Sequence, residues 1–146
     1  MNIQQDFKEL LRLLEKNKID YMVVGGYAVA FYGYPRFTKD IDIFFEVSKE
    51  NITKLIDTFV EFGFSLSDLN HDMFMEKGNV ITFGVEPVRV DFLNDIDGVD
   101  YKEAKMNRVR GKYDDTDIYF IGKEELIKNK LSTDRIQDKA DVEELK

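Results

Sequence analysis

Tyr21-Met22-Val23-Val24-Gly25-Gly26 and Asp40-Ile41-Asp42-Ile43-Phe44-Phe45 are the two stretches on which the architecture of this chain turns. The first is a short apolar run, Tyr21 to Val24, that ends in two glycines. It reads as a buried strand followed by a tight turn, because glycine alone adopts the turn's unusual backbone angles without steric cost. The second reads as another strand. Side chains alternate along a strand, so Asp40, Asp42 and Phe44 share one face and Ile41, Ile43 and Phe45 the other. The apolar face can pack on helices; the opposite face carries two carboxylates on one ridge.

A third run, Val88-Arg89-Val90-Asp91-Phe92-Leu93, places Asp91 on one face with Arg89 and Leu93. If this strand pairs with the one holding Asp40 and Asp42, three carboxylates come together. Crowded carboxylates repel and are costly to bury unpaired. A divalent cation removes both problems, and magnesium favours such hard oxygen donors together with substrate phosphates. Three carboxylates suffice for two ions about 3.5–4 Å apart, as in phosphoryl-transfer enzymes. Gly25 and Gly26 let backbone approach a ligand closely, and a helix starting near Tyr27 turns free N–H groups toward phosphate oxygens. Arg36, Thr38 and Lys39, just ahead of Asp40, add candidate phosphate contacts.

The remaining segments imply a mixed α+β sheet with helices packed on it, in a single domain over residues 1–146. Ile3 to Leu14 has helical periodicity, with Ile3, Phe7, Leu10, Leu11 and Leu14 on one side. Tyr27 to Tyr32 suits a short helix stopped at Gly33. Ser48 is a natural N-cap for a helix over Lys49 to Phe62, with Gly63 as its stop. Asn79 to Val85 and Val88 to Leu93 read as an antiparallel hairpin turned at Glu86-Pro87. Asn107 to Tyr113 and Asp117 to Ile121 read as another. Helices over Lys123 to Leu131 and about Gln137 to Leu145 close the chain.

Composition narrows the function classes. The 146 residues are 43% hydrophobic, with twelve Phe and seven Tyr to fill a core. There are no cysteines and a single His71, which rules out thiolate and histidine metal centres. The net charge of −8 argues against broad, sequence-independent nucleic-acid binding. No apolar run approaches the roughly 20 residues that span a bilayer. The charged, amphipathic Met1 to Lys18 has no signal-peptide core, so cytoplasmic residence is the expectation.

The spacing of Gly25, Gly26, Asp40, Asp42 and Asp91 resembles the nucleotidyltransferases of the polymerase-beta superfamily, whose signature is Gly-Gly or Gly-Ser, a short helix, Asp-x-Asp, and a later acidic residue on a strand. The segment Gly25 to Asp42 is more narrowly similar to small bacterial nucleotidyltransferases related to the toxin half of AbiE-type toxin–antitoxin systems. In that group a helical lysine precedes an Arg-x-x-Asp-x-x-Asp-like pattern, matched here by Lys130, Arg135, Asp138 and Asp141. The resemblance implies magnesium dependence, with manganese as a substitute, and transfer of a nucleoside monophosphate from a nucleoside triphosphate. It implies that Asp40, Asp42 and Asp91 are catalytic metal ligands, that Asp91 helps activate the acceptor hydroxyl, and that Lys130 neutralises phosphate charge. The acceptor stays open among tRNA, protein and small molecule, as does an antitoxin or other protein partner. No membrane partner is implied. Gly26 stands where many members carry serine.

Plainer alternatives stand beside these. Arg36 pairs with Asp40 or Asp42, or binds phosphate. Arg89 pairs with Asp91. Lys130 is a solvated helix lysine unless the last helix folds over the site, and Arg135, Asp138 and Asp141 form a helix-surface charge pattern. Tyr27, Phe31 and Tyr32 pack in the core. Asp95-Ile96-Asp97-Gly98 is a turn, lacking the ligand series of a calcium loop. The alternative function, suggested by Gly26 and the short C-terminal stretch, is a non-catalytic nucleotide-binding or regulatory module that keeps the fold.

Overall fold

The computed structural model describes residues 3–33, 40–85, 88–113 and 115–146. In chain order the elements are α1 (Ile3–Lys16), β1 (Tyr21–Val24), α2 (Gly25–Phe31), β2 (Asp40–Phe45), α3 (Lys49–Phe62), α4 (His71–Met75), β3 (Val80–Val85), β4 (Val88–Leu93), α5 (Tyr101–Lys105), β5 (Val109–Tyr113), β6 (Thr116–Phe120), α6 (Lys123–Leu131) and α7 (Ile136–Leu145), with a 3₁₀ turn at Leu66–Asp68. The six strands form one mixed sheet in the order β3-β4-β2-β1-β6-β5. β1 runs antiparallel to β2 and parallel to β6; β2 runs parallel to β4. The two hairpins, β3–β4 and β5–β6, are antiparallel.

The alternation of β2 sorts its two faces. Ile41, Ile43 and Phe45 are fully buried on the apolar face. Phe45 meets Phe74 of α4, and Phe59 of α3 packs against Phe74, Phe83 and Phe92, joining helices and hairpin in one aromatic core. On the opposite face, Phe44 is covered by Tyr101 of α5, ring centroids 5.1 Å apart. Phe31 of α2 stacks on Phe120 of β6 at 4.1 Å, and Tyr32 donates its hydroxyl to the Ile121 carbonyl at 2.7 Å. These two side chains of the 27–32 segment are therefore half-buried and packed against the core, as their composition suggests.

The capping chemistry of α3 is realised. Ser48 accepts from the Asn51 amide at 3.1 Å, and Gly63 terminates the helix at φ 127°. The differences from expectation lie in short elements. α2 begins at Gly25 rather than Tyr27, so the glycines form the helix's first turn. α4 and α5, five residues each, are absent from the expected elements. They are too short to show periodicity and are held by local caps: Asn70 accepts from the Met73 amide and Asp100 from the Glu103 amide. Residues Ile96 and Val99 form a bridge, so the Asp95–Gly98 segment is a turn, as expected.

Candidate active site

β2 and β4 bring the distant carboxylates together. Their parallel register sets Asp42 directly opposite Asp91 and Asp40 opposite Arg89. β1, antiparallel to β2 on its other side, places Val24 opposite Asp42. The chain then turns at Gly25 with φ +69°, and a Cβ there would collide with Asp42 Oδ2. Glycine is required at this position twice over: for its backbone angle and for the carboxylate pressed against it. Val24, the N-cap of α2, offers no side-chain acceptor to the helix's first amides, which suits an incoming anion.

The electrostatics of the cluster are set by burial. Asp91 is 8% exposed and accepts from Thr82 Oγ1 at 2.8 Å. Arg89 reaches Asp91 through Nε at 3.2 Å and Asp40 through Nη2 at 2.9 Å. The ion pair of Arg89 with Asp91 suggested by their shared face is thus present, and it extends to Asp40. Asp42 is pushed up to about 7, first by burial and then by the charges of Asp91 and Asp40, with Arg89 opposing. A group so raised is a carboxylate short of positive charge.

Among the described residues, no three His, Cys, Asp or Glu side chains form a metal cage by themselves. The donor set nevertheless fits magnesium, which commonly takes one or two carboxylates and completes its shell with substrate phosphates and water. Asp42 is the donor whose ionisation a cation would favour most.

In front of Asp40 and Asp42 lies a pocket of about 440 Å³, lined by Gly25, Gly26, Asp40, Asp42, Lys130 and Arg135, among others, while Asp91 does not line it. Its far wall is α6 and α7. Lys130 is not the solvated lysine its helix position suggests. It is 4% exposed, and its Nζ lies 2.9 Å from Asp138 Oδ1 and 2.8 Å from Asp141 Oδ2. Asp138 also accepts from Thr133 at 2.6 Å, and Asp141 accepts from Gln137 at 2.9 Å. Burial alone would raise the Asp138 carboxyl; the Thr133 hydroxyl and Lys130 outweigh it and hold it below the ordinary carboxylate value. The surface-pattern reading of Asp138 and Asp141 is corrected with that of Lys130, because α7 folds back over α6 and buries all three. Arg135 does remain exposed, its side chain at 76%. Arg36 and Thr38 lie outside the described residues.

This arrangement has relatives. Residues 1–146 match the sequence profile of a family described as "Nucleotidyltransferase of unknown function (DUF6036)". The chain belongs to that family. The fold of this DUF6036 nucleotidyltransferase is shared with a Thermotoga maritima protein described as a candidate nucleotidyltransferase, at TM-score 0.65 and 18% identity over 96% of this chain and 89% of that one. It is shared also with the lincosamide antibiotic adenylyltransferase LnuA, solved with lincomycin bound, at TM-score 0.60 and 20% identity over 97% and 94% of the two chains. No curated protein sequence matches the chain. No helix of the described residues is long and apolar enough to cross a membrane.

Sequence reasoning passed over Thr82, Asn129 and Thr133 of the DUF6036 site and read Asp97 only as part of a turn. Thr82 was within reach. The turn expected at Glu86-Pro87 implies a pairing of Val85 with Val88, and counting back along the hairpin sets Thr82 opposite Asp91, the register observed. The other three line the pocket through tertiary folding of the 95–98 turn and α6, and no local pattern marks them.

Proposed function

We propose that the protein is a magnesium-dependent nucleotidyltransferase that moves a nucleoside monophosphate from a nucleoside triphosphate to an acceptor hydroxyl. The observation that carries this reading is the pairing of Asp42 with Asp91 across β2 and β4, beside a positive-φ glycine at the mouth of a phosphate-sized pocket. Family membership supports it independently.

Asp40, Asp42 and Asp91 are the residues that hold the metal, as one ion or two, with manganese as a substitute. When bound, the metal supplies Lewis-acid stabilisation of the charge that builds on the phosphoryl oxygens. The backbone of Gly25 and Gly26 admits the triphosphate, whose negative charge faces the exposed Arg135 across the pocket, with Lys130 lining the same wall in its ion pairs with Asp138 and Asp141. Arg36 and Thr38 are assigned to the same phosphates. The acceptor oxygen attacks the α-phosphorus and forms a new O–P bond. The bond from that phosphorus to the bridging oxygen breaks, and pyrophosphate leaves. The hydroxyl proton passes to a carboxylate oxygen of Asp91, which Thr82 and Arg89 hold in place. Catalysis is positioning and electrostatic stabilisation, as in other phosphoryl transfers.

The narrower setting, a toxin–antitoxin nucleotidyltransferase acting on tRNA, rests on the Gly25–Asp42 resemblance. The bound lincomycin of LnuA points instead to a small-molecule acceptor. The test is incubation with magnesium, α-labelled triphosphates and candidate RNA, protein and small-molecule acceptors. Label should pass to one acceptor class, and Asp40→Ala or Asp42→Ala should abolish transfer without unfolding the protein. Full transfer by Asp42→Ala would contradict the assignment.

One observation favours a non-catalytic module: Arg89 already neutralises part of the charge of Asp40 and Asp91. In that case a non-hydrolysable triphosphate would still raise the melting temperature, as a ligand that binds only the folded state does, while no label passes to any acceptor.

A further inference from the structure

We propose that a second pocket, floored by Phe44 and Tyr101, is the acceptor subsite, and that it takes a small amphipathic molecule carrying both a hydroxyl and an amine. This inference rests on the nucleotidyl-transfer reading and adds the substrate class to it.

The pocket encloses about 340 Å³, within the range of sites for small organic ligands. It adjoins the nucleotide pocket in two ways. Asp40, Asp42 and Phe44 alternate along one face of β2, so the floor of the second pocket begins one strand step, about 7 Å, beyond Asp42. Asp95, after β4, is exposed and lines both pockets, so the two meet at this residue. A molecule about 10 Å long that reaches from this pocket past Asp95 places one end beside Asp42 and Asp91, where the α-phosphorus is attacked.

The floor is rigid. Phe44 and Tyr101 are 2% and 7% exposed and meet edge to face. Beside them, Asn94 is fastened on three sides: its amide donates to the Phe74 and Glu76 carbonyls at 3.0 and 2.7 Å, and its oxygen accepts from the Gly78 amide at 2.9 Å. The lip is apolar but open. Val47 and Met75 are 39% and 44% exposed, a wet apolar edge that an occupant would cover.

The rim selects charge. Glu46 and the exposed Asp95 stand on it, and the Asp95 carboxylate makes no hydrogen bond or ion pair with a described residue. Lys77 and Lys102 also line the pocket, so the preference for an amine is local to Glu46 and Asp95. The net charge of −8 steers cations toward the molecule and phosphate-rich polymers away. That combination favours a small cationic acceptor over RNA.

The test is amide NMR of the full chain with magnesium and α,β-methylene-ATP, adding tyramine, 4-hydroxyphenylacetate or ethanolamine. Tyramine has the aromatic body, hydroxyl and amine; the second replaces the amine by a carboxylate; the third lacks the apolar body. Tyramine should shift the Phe44, Val99 and Tyr101 amides, and the other two should not. Val47→Arg, at an exposed lip position, should weaken tyramine binding by about tenfold or more while the nucleotide still shifts Gly25 and Gly26. If tyramine leaves those amides unmoved, or binds Val47→Arg as well as the unaltered chain, the subsite is refuted. If 4-hydroxyphenylacetate binds as well as tyramine, the cationic class is wrong. If the nucleotide itself fails to shift Gly25 and Gly26, the underlying function fails, and that result is distinct from the other three.

Discussion

At the scale of single residues, Asp42 is the group under most strain. Its native value of about 7 lies above the ordinary 3.8, so the folded state binds the extra proton between those two values. Stability from this group is complete below about pH 4, falls as pH rises through 7, and stays low above. In chelator, Asp42→Asn removes the penalty and should raise stability at pH 8 by about 1–3 kcal/mol, with little effect at pH 4. Denaturant melts at the two pH values measure this; an equal effect at both would contradict the assigned cause. Gly25→Ala acts in the opposite direction. It forces an L residue to φ +69° and sets a methyl against Asp42, so it should cost about 1–3 kcal/mol and also disable nucleotide binding. Gly33, also at positive φ but with open space around it, should lose less on the same change.

At the scale of elements, the junction of α6 and α7 depends on one buried charge cluster. Lys130→Met leaves Asp138 and Asp141 buried without their cation and should cost about 3–5 kcal/mol. Adding Asp138→Asn and Asp141→Asn, which keep partners for Thr133 and Gln137, should restore most of that stability, and chemical denaturation of the single and triple variants checks it. A small loss in the single variant would show that Lys130 does not hold the helices together. This cluster also marks the limit of what the sequence reveals. Helices α6 and α7 were legible from their residues, and so were β1 to β6, because the preferences that set each segment are local. The burial of Lys130 was not, because it depends on α7 packing over α6, a contact no single-segment pattern encodes. The five-residue helices α4 and α5 escaped for the opposite reason: their caps are local, but their length is too short for a pattern. Missing α5 concealed the contact of Tyr101 with Phe44, and with it the floor of the second pocket.

At the scale of the whole molecule, the site is a product of strand order. Asp40 and Asp42 meet Asp91 because β4 inserts beside β2, parallel to it and in a register that sets Asp42 against Asp91. The alternation within each strand predicted which side chains share a face; the neighbour relation and its direction came only with the fold. One residue of slip would turn Asp91 to the apolar face, so the hairpin register at Thr82 and Asp91 is as important to the chemistry as the carboxylates themselves. The most direct test is a crystal structure of the protein grown with manganese and a non-hydrolysable triphosphate, with the metal located by its anomalous scattering. The account predicts manganese in contact with both Asp42 and Asp91 and with a triphosphate seated against Gly25 and Gly26. A triphosphate bound elsewhere, or a filled pocket with no metal on those two carboxylates, would contradict it.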